Sequence, residues 1–373
     1  MRALHAVTLH TPTQAFGGPV RVAVNLTGGL AARGVDTRIV ALGSGFDGPL
    51  PADVDGRPAR LYPARRVVPG AGFSGLTSPA LLLGARRLVK AADVVHVHLA
   101  RDLVTLPIAL AALSARRPLV VQTHGMVDPS DKALAKVLDA LAVRRVLRRA
   151  DAVLHLTAYE RKGLDAVLGT ADPGNGLRLV NGVPAQERRP RPKGPPRVLY
   201  LARMQARKRP ADFVAAVPEV LRRHPDARFV MAGADEGELG AALKLAEALG
   251  VSDCVEYLGS LAPGAVLGEL RRTHVHVLPS VDEPFPMSVL EALSVGVPSV
   301  VTPTNGLADD LARSGAGRVA RTPEALAAGI IALLEPAAQD AASAAAWQLS
   351  RTSFSLEAVT DRLHALYDSF CQA

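Results

Sequence analysis

The chain has 373 residues, 49% of them hydrophobic and 21% charged, the make-up of a folded protein with a large core and enough length for two domains. A formal net charge of +8 suits anionic partners, but aromatics are only 4%, so the interleaved basic and aromatic side chains that nucleic acid calls for are missing. No apolar run reaches the roughly 20 residues of a membrane span, no long apolar leader opens the chain, and Cys254 and Cys371 lack metal or redox spacing, which points to reduced thiols in the cytoplasm.

Short apolar strands alternate with helix-length segments throughout, the pattern of an α/β protein with parallel sheets. "ALHAVTL" predicts a strand, "HTPTQAFGG" a loop, and "PVRVAVNLTGGLAARG" a helix opened by Pro19 and closed by Gly34. Gly17 and Gly18 end that loop ahead of a helix N-terminus, whose free N–H groups could take a phosphate or a sugar; they could equally serve only to turn the chain. In "DVVHVHL" (93–99), His96 and His98 fall on one face of a strand. A metal would need a third ligand, and none is evident nearby, so the pair reads as buried or cleft-lining. "PLVVQTHG" places His124 at a strand end before Gly125, where a side chain can point toward a ligand. In the next predicted helix, the apolar stripe Leu134, Val137, Leu138 and Leu141 shifts at Val143, where arginines take over that face. Peripheral contact with an anionic membrane stays open on this pattern.

Residues 181–196, rich in Pro, Gly and Arg, break the rhythm and predict an interdomain linker, giving an N-terminal domain over 1–190 and a C-terminal domain over 191–352. A second strand–helix–strand unit comes next in "RVLYLARM", a helix through "PADFVAAVPEVLRRHP", and "ARFVMAG". Arg203 and Lys208 lie at and after a strand's C-terminal end, where open α/β sheets bind ligands. Two cations there could hold a diphosphate, and a compact ammonium stands out in a chain with only seven lysines; a solvated basic loop is the alternative. The stretch "VLPSVDEPFPMSVLEALSVGVPSVVT" (277–302) reads as strand, loop, helix, strand, with Pro286 as first helical residue and Gly296 closing the helix. Glu283 precedes this helix and Glu291 sits inside it. Such carboxylates could accept hydrogen bonds from sugar hydroxyls while helix amides take phosphates; alternatively Glu283 caps the helix and Glu291 pairs with an arginine. Residues 353–370 predict an amphipathic helix with Leu356, Val359, Leu363, Leu366 and Tyr367 on its apolar side, able to pack on either domain.

With these motifs in view, "EPFPMSVLE" resembles the Glu-x7-Glu motif of the retaining glycosyltransferases of the GT-B fold, of the family-four (group 1) type that includes bacterial mannosyl- and N-acetylglucosaminyltransferases. The Gly17–Gly18 loop, "DVVHVHL", "THG", "ARMQARK", the "AG" after "FVM", "VEYLGSL" and the final helix fall in that family's order and spacing, over nearly the whole chain. The resemblance implies two Rossmann-like domains with parallel sheets facing a central cleft, the acceptor on the N-terminal domain, the nucleotide sugar on the C-terminal domain, and the final helix crossing back onto the first. It also implies that Glu283 holds the donor sugar's hydroxyls and Glu291 the ribose. Arg203 and Lys208 then bind the diphosphate, and the amides of Met287, Ser288 and Val289 meet the diphosphate or sugar. The backbone around Leu258 reads the base, His124 lines the reacting centre, and Gly17 and Gly18 close over the phosphates. Pro286 stands where many relatives have glycine and removes one N–H. No Asp-x-Asp suited to a divalent ion is evident. The expected activity is therefore metal-independent, cofactor-free transfer of a hexosyl unit from a UDP- or GDP-sugar to an acceptor hydroxyl, with retention by front-side attack, in the cytoplasm or at the inner face of the membrane. A GT-B-like epimerase or phosphorylase is the alternative; a non-catalytic binding subunit is disfavoured because both glutamates and both phosphate cations are present.

Overall fold

The computed structural model describes residues 1–12, 17–70, 72–169 and 173–372. The chain forms two compact units, one of residues 1–182 with the terminal helix Leu356–Cys371, the other Val183–Ser355. Residues 13–16, within the expected first loop, lie outside the described residues.

The first unit carries an eight-stranded sheet. From edge to edge its strands are Gly176–Arg178, Ala152–His155, Leu119–Gln122, Val94–His98, Arg2–His10, Asp36–Gly43, Arg57–Pro63 and Asp53–Val54, all parallel but the last. Val94–His98 and Leu119–Gln122 are buried at every residue, which is why they read as continuous apolar runs rather than alternating ones. The sheet grows both ways from Arg2–His10, so the direction of winding reverses between that strand and Val94–His98. The terminal helix lies against the first helix, Gly17–Ala31. A Cβ on Gly29 would fall 2.4 Å from Thr360 Cγ2, so the glycine lets the two helices close. Val359, Leu363 and Tyr367 point inward, whereas Leu356 and Leu366 are half-buried.

The stripe shift at Val143 has a backbone cause. Ala133–Leu138 is α-helical, Asp139–Val143 is a π-helical turn, and Arg144–Arg149 is α-helical again. The wider turn rotates the second α-helical segment about the helix axis relative to the first. Leu134, Val137 and Leu141 therefore stay exposed while Val143, Val146 and Leu147 go to the core.

The second unit has six parallel strands in the order Val255–Tyr257, Arg228–Ala232, Arg197–Leu201, Val275–Leu278, Ser299–Val301, Gly317–Val319. By chain order this is 3-2-1-4-5-6, the doubly wound arrangement with its switch point between Arg197–Leu201 and Val275–Leu278. The division between units falls at Gly182/Val183, not near 190. The Pro/Arg-rich stretch is no free linker but is bonded along the second unit: Val183 N–H to the Phe354 carbonyl at 2.9 Å, Arg189 N–H to Val295 at 3.0 Å, and Trp347 Nε1–H to Gln186 at 2.8 Å. Composition signals solvation there, yet Arg189 is buried, and burial lowers its pKa to about 10. The helix expected through "PADFVAAVPEVLRRHP" is two, Pro210–Ala215 and Val217–Arg223, parted where Pro218 has no N–H to give. No single helix among the described residues is long and apolar enough to cross a membrane.

Candidate functional site

The second unit gathers charge at its switch point. Arg197–Leu201 runs into the turn Ala206–Lys208, and Val275–Leu278 runs into residues 279–283. There the Lys208 ammonium donates to Glu283 Oε2, with only 12% and 9% of the two side chains exposed. Burial lowers the Lys208 pKa, and the Glu283 carboxylate works against that fall. The loops are laced together: Val281 N–H donates to the Arg207 carbonyl at 2.9 Å, the Arg207 guanidinium to Asp282 at 2.7 Å, and the Tyr200 hydroxyl to Arg203 at 3.1 Å. Glu283 is also pinned through its backbone, its N–H donating to Thr304 at 3.2 Å and its carbonyl accepting from Gly306 at 2.8 Å. Arg203 pairs with Glu236 at 2.8 Å, a partner the sequence did not suggest. Both expected phosphate cations thus arrive with a carboxylate of their own. Gly233, at φ 143°, makes room for the first of these loops: a Cβ there would lie 2.0 Å from the Ala202 carbonyl oxygen.

The helix after Glu283 spans Met287–Ser294, and Pro286 is its cap residue rather than its first helical one. At φ −75° and ψ 117° Pro286 is extended, and its carbonyl accepts from Leu290 N–H at 3.3 Å. The N–H groups of Met287, Ser288 and Val289 therefore precede any intrahelical acceptor. Val289, Leu290, Ala292, Leu293 and Ser294 are buried, whereas Met287, Ser288 and Glu291 are half-buried. Those three share one face at i, i+1 and i+4, so Glu291 lies on the less buried side of a helix whose other sides are in the core. Leu258 gives its N–H to the Met231 carbonyl at 2.9 Å and packs on an apolar cluster, so that N–H is not available to a base.

In the first unit the helix begins at Gly17, so Gly17 and Gly18 occupy its first turn instead of ending a loop, and Pro19 is tolerated because that turn's N–H groups need no intrahelical acceptor. A Cβ on Gly18 would meet nothing within 4 Å, so no neighbour in the chain demands glycine there. Asp53 and Asp55 have Asp-x-Asp spacing but serve a hairpin turn: Asp53 accepts from Gly56 N–H at 3.0 Å, and Asp55 faces Arg21 at 3.8 Å.

His124 comes just after Leu119–Gln122 with φ 52°, a left-handed backbone that costs a non-glycine residue about 1–3 kcal/mol and needs support. Buried Glu160 supplies it, Oε1 accepting from Thr123 Oγ1 and Gly125 N–H, each at 2.6 Å, and Oε2 from Leu156 N–H at 2.6 Å. Thr157 and Glu160 have the spacing of a capping box, which signals a helix start and gives no sign of the turn that Glu160 holds. Glu160→Gln turns one acceptor oxygen into a donor facing Leu156 N–H, at an expected cost of about 1–3 kcal/mol and with faster hydrogen exchange at the Gly125 amide. Unchanged exchange would detach Glu160 from the turn.

His124 Nε2 lies 2.7 Å from His98 Nδ1. The third histidine that "HVH" lacked is His5, which the parallel register places opposite His96; ligand atoms of His5, His96 and His98 lie within 4.8 Å of one another. All four rings are held neutral by burial, which lowers His5 and His124 to about 3 and puts His96 and His98 well below the usual histidine value.

Two doubly wound units, with ion pairs and helix amides gathered at strand ends of the second, define an α/β protein equipped for an anionic ligand. Residues 17–182 match the model of the glycosyl transferase 4-like domain, and residues 184–346 that of glycosyl transferases group 1, the two segments meeting where the units divide. The glycogen synthase of Mycobacterium tuberculosis (strain H37Rv) is 31% identical over 291 residues, 74% of this chain and 68% of that protein. The D-inositol 3-phosphate glycosyltransferase of Corynebacterium jeikeium is 36% identical over 114 residues, a match spanning 29% of this chain and 27% of that protein. The Anabaena protein HepE, solved in complex with UDP and glucose, superposes with a TM-score of 0.78 at 16% identity, covering 98% of this chain and 99% of that one. The chain belongs to the group 1 glycosyl transferases; it is a glycosyltransferase of the GT-B fold.

Proposed function

We propose that the protein is a retaining hexosyltransferase that takes its sugar from a UDP- or GDP-sugar and needs neither a metal nor a cofactor. The observation that carries this is the buried Lys208–Glu283 pair at the switch point, beside a helix whose first amides have no intrahelical acceptor and on which Glu291 is half-buried. An ammonium has three donors, so Lys208 can keep Glu283 and still meet a phosphate. With Arg203 and the amides of Met287, Ser288 and Val289 it offsets the charge that develops on the leaving diphosphate, the task a divalent ion performs elsewhere. Since Pro286 has no N–H, these amides are the helix's whole offer. Glu283 accepts from hydroxyls of the sugar, Glu291 from the ribose, and residues beyond Leu258 contact the base.

The first unit binds the acceptor and contributes the helix start at Gly17 and Gly18, and His124, whose ring lines the reacting centre. The bond from the anomeric carbon to the diphosphate breaks, the acceptor oxygen bonds on the same face, and its proton passes to the leaving phosphate oxygen. The UDP and glucose bound by HepE favour a UDP-sugar.

Calorimetry across UDP-, GDP- and ADP-sugars, followed by NMR of the product, tests this. A product of inverted anomeric configuration, or activity that returns after chelation only with a divalent ion, overturns it. Donor turnover without acceptor would instead favour an epimerase or, if phosphate is required, a phosphorylase. Glu283→Gln should lower transfer by about a hundredfold while the protein stays folded, since the amide still accepts from Lys208. Near-normal turnover of that variant would remove Glu283 from the donor site.

A further inference from the structure

We infer that Gln122, acting on a hydrogen-bonded chain from His96 through Tyr367, His5 and His98, fixes the tautomer of His124, placing its proton on Nε2 and leaving a lone pair on Nδ1, with Tyr367 as the positioning residue. This rests on the proposed role of His124 only for its effect on transfer. The chain itself stands on contacts within one unit.

The geometry is continuous. His96 Nδ1 lies 2.6 Å from the Tyr367 hydroxyl, that hydroxyl 3.2 Å from His5 Nε2, His5 Nδ1 3.3 Å from His98 Nε2, and His98 Nδ1 2.7 Å from His124 Nε2. The His98 and His124 rings are parallel to within 3° with centroids 5.0 Å apart, the spacing of two imidazoles joined edge to edge through one N–H···N bond. Every member but His124 is fully buried, and Nδ1 of His124 is sealed as well. Burial keeps each ring neutral, so each has one donor nitrogen and one acceptor nitrogen. In such a row the polarity of one bond dictates the next, and only two arrangements exist.

Gln122 selects between them. Its Nε2 donates to Asn181 Oδ1 at 3.3 Å, which leaves Oε1 as an acceptor, and Gln122 works against the fall of the His96 pKa. Among the described residues, His96 Nε2 and Gln122 Oε1 each lack a hydrogen-bond partner, and a proton on His96 Nε2 directed at the Gln122 oxygen would satisfy both. With the proton on His96 Nε2, His96 Nδ1 accepts from the Tyr367 hydroxyl, and that oxygen accepts from His5 Nε2–H. His5 Nδ1 then accepts from His98 Nε2–H, and His98 Nδ1 from His124 Nε2–H. His124 Nδ1 is left as a buried lone pair with no partner among the described residues. The terminal helix thereby sets the chemistry of a side chain two strands away from where Tyr367 docks.

The test is ¹⁵N NMR of the full chain labelled at histidine. In the unaltered protein His124 should be protonated at Nε2 and bare at Nδ1, a measurement that needs no variant. Tyr367→Phe keeps the ring and removes the hydroxyl, so His5, His98 and His124 should populate both tautomers. Release of nucleoside diphosphate from the donor found by calorimetry should then slow by about tenfold with donor affinity unchanged. Gln122→Leu, acting from the other end, should mix the same tautomers. His124 protonated at Nδ1 in the unaltered protein, or tautomers unmoved in both variants, would overturn the inference. So would one equivalent of a divalent metal on His5, His96 and His98, since the metal takes the nitrogens the chain uses. Mixed tautomers with undiminished turnover would uphold the chain and remove His124 from the reaction.

Discussion

Lys208→Met is expected to cost about 3–5 kcal/mol of stability and most of the affinity for a nucleoside diphosphate, while the nucleoside alone binds nearly as before. Methionine replaces the lysine stem at similar volume, so the packing loss is small. The Glu283 carboxylate remains, 9% exposed and without its counter-ion. It cannot swing out to water, because Thr304 and Gly306 hold its backbone from both sides. The double variant Lys208→Met/Glu283→Gln separates the two roles of the lysine. Removing both charges together abolishes the uncompensated one, so the melting temperature should recover much of its loss. Diphosphate affinity should not recover, because no ammonium returns. Lys208→Arg keeps the charge but replaces a compact donor with a planar fork, and an intermediate affinity is expected. Thermal melts of the four proteins, with calorimetry on UDP and uridine, decide the matter. Equal loss for both ligands would assign Lys208 a purely structural role, and an unchanged melting temperature would mean that Glu283 finds another partner.

The alternation of strands and helices was legible because it rests on local patterns: apolar runs of strand length, and Gly or Pro at helix ends. The placement of Arg203, Lys208 and Glu283 near strand ends was legible for the same reason. That Lys208 and Glu283 bond each other was not, since the contact spans 75 residues and depends on which strands lie side by side. His5 escaped notice in the same way, being 93 residues from the ring it touches, and only the register of two parallel strands brings them together. Glu160 and Glu236 act through loops whose course no periodicity encodes. Residues 183–196 misled by composition, because Pro and Arg mark exposed linkers in general, while here backbone hydrogen bonds tie the segment to the second unit. Pro286 shows how fine the limit is. Proline suits both a first helical residue and an extended cap, and only ψ tells them apart.

Acid should unfold the first unit steeply between about pH 6.5 and 4. His5 and His124 are lowered to about 3 in the folded chain, and His96 and His98 lie well below 6.5. In the unfolded chain all four titrate near 6.5. Below that value the unfolded state binds protons that the folded state refuses, so stability is fully present above about pH 6.5 and falls as the pH drops toward the folded values. Each such histidine contributes a slope of roughly 1.4 kcal/mol per pH unit, and four together give about 5 kcal/mol per unit near pH 5. Against a total of about 5–15 kcal/mol for a typical domain, about one to three pH units suffice. The second unit has two comparable rings, His276 lowered to about 3 and His274 to about 4, and should respond less steeply. The groups facing the cluster are the four rings themselves, Gln122 and the Tyr367 hydroxyl, whose ionisation burial pushes further up, so none of them offers a negative charge to an imidazolium. Chemical denaturation from pH 7.5 to 4.5, followed by probes in each unit, measures the slope, and His96→Gln should reduce it by about one proton. A slope below one proton in the first unit would mean that the rings are already charged when folded. Charged imidazoles offer only donors, so that result would also dissolve the row of neutral tautomers that ends at His124.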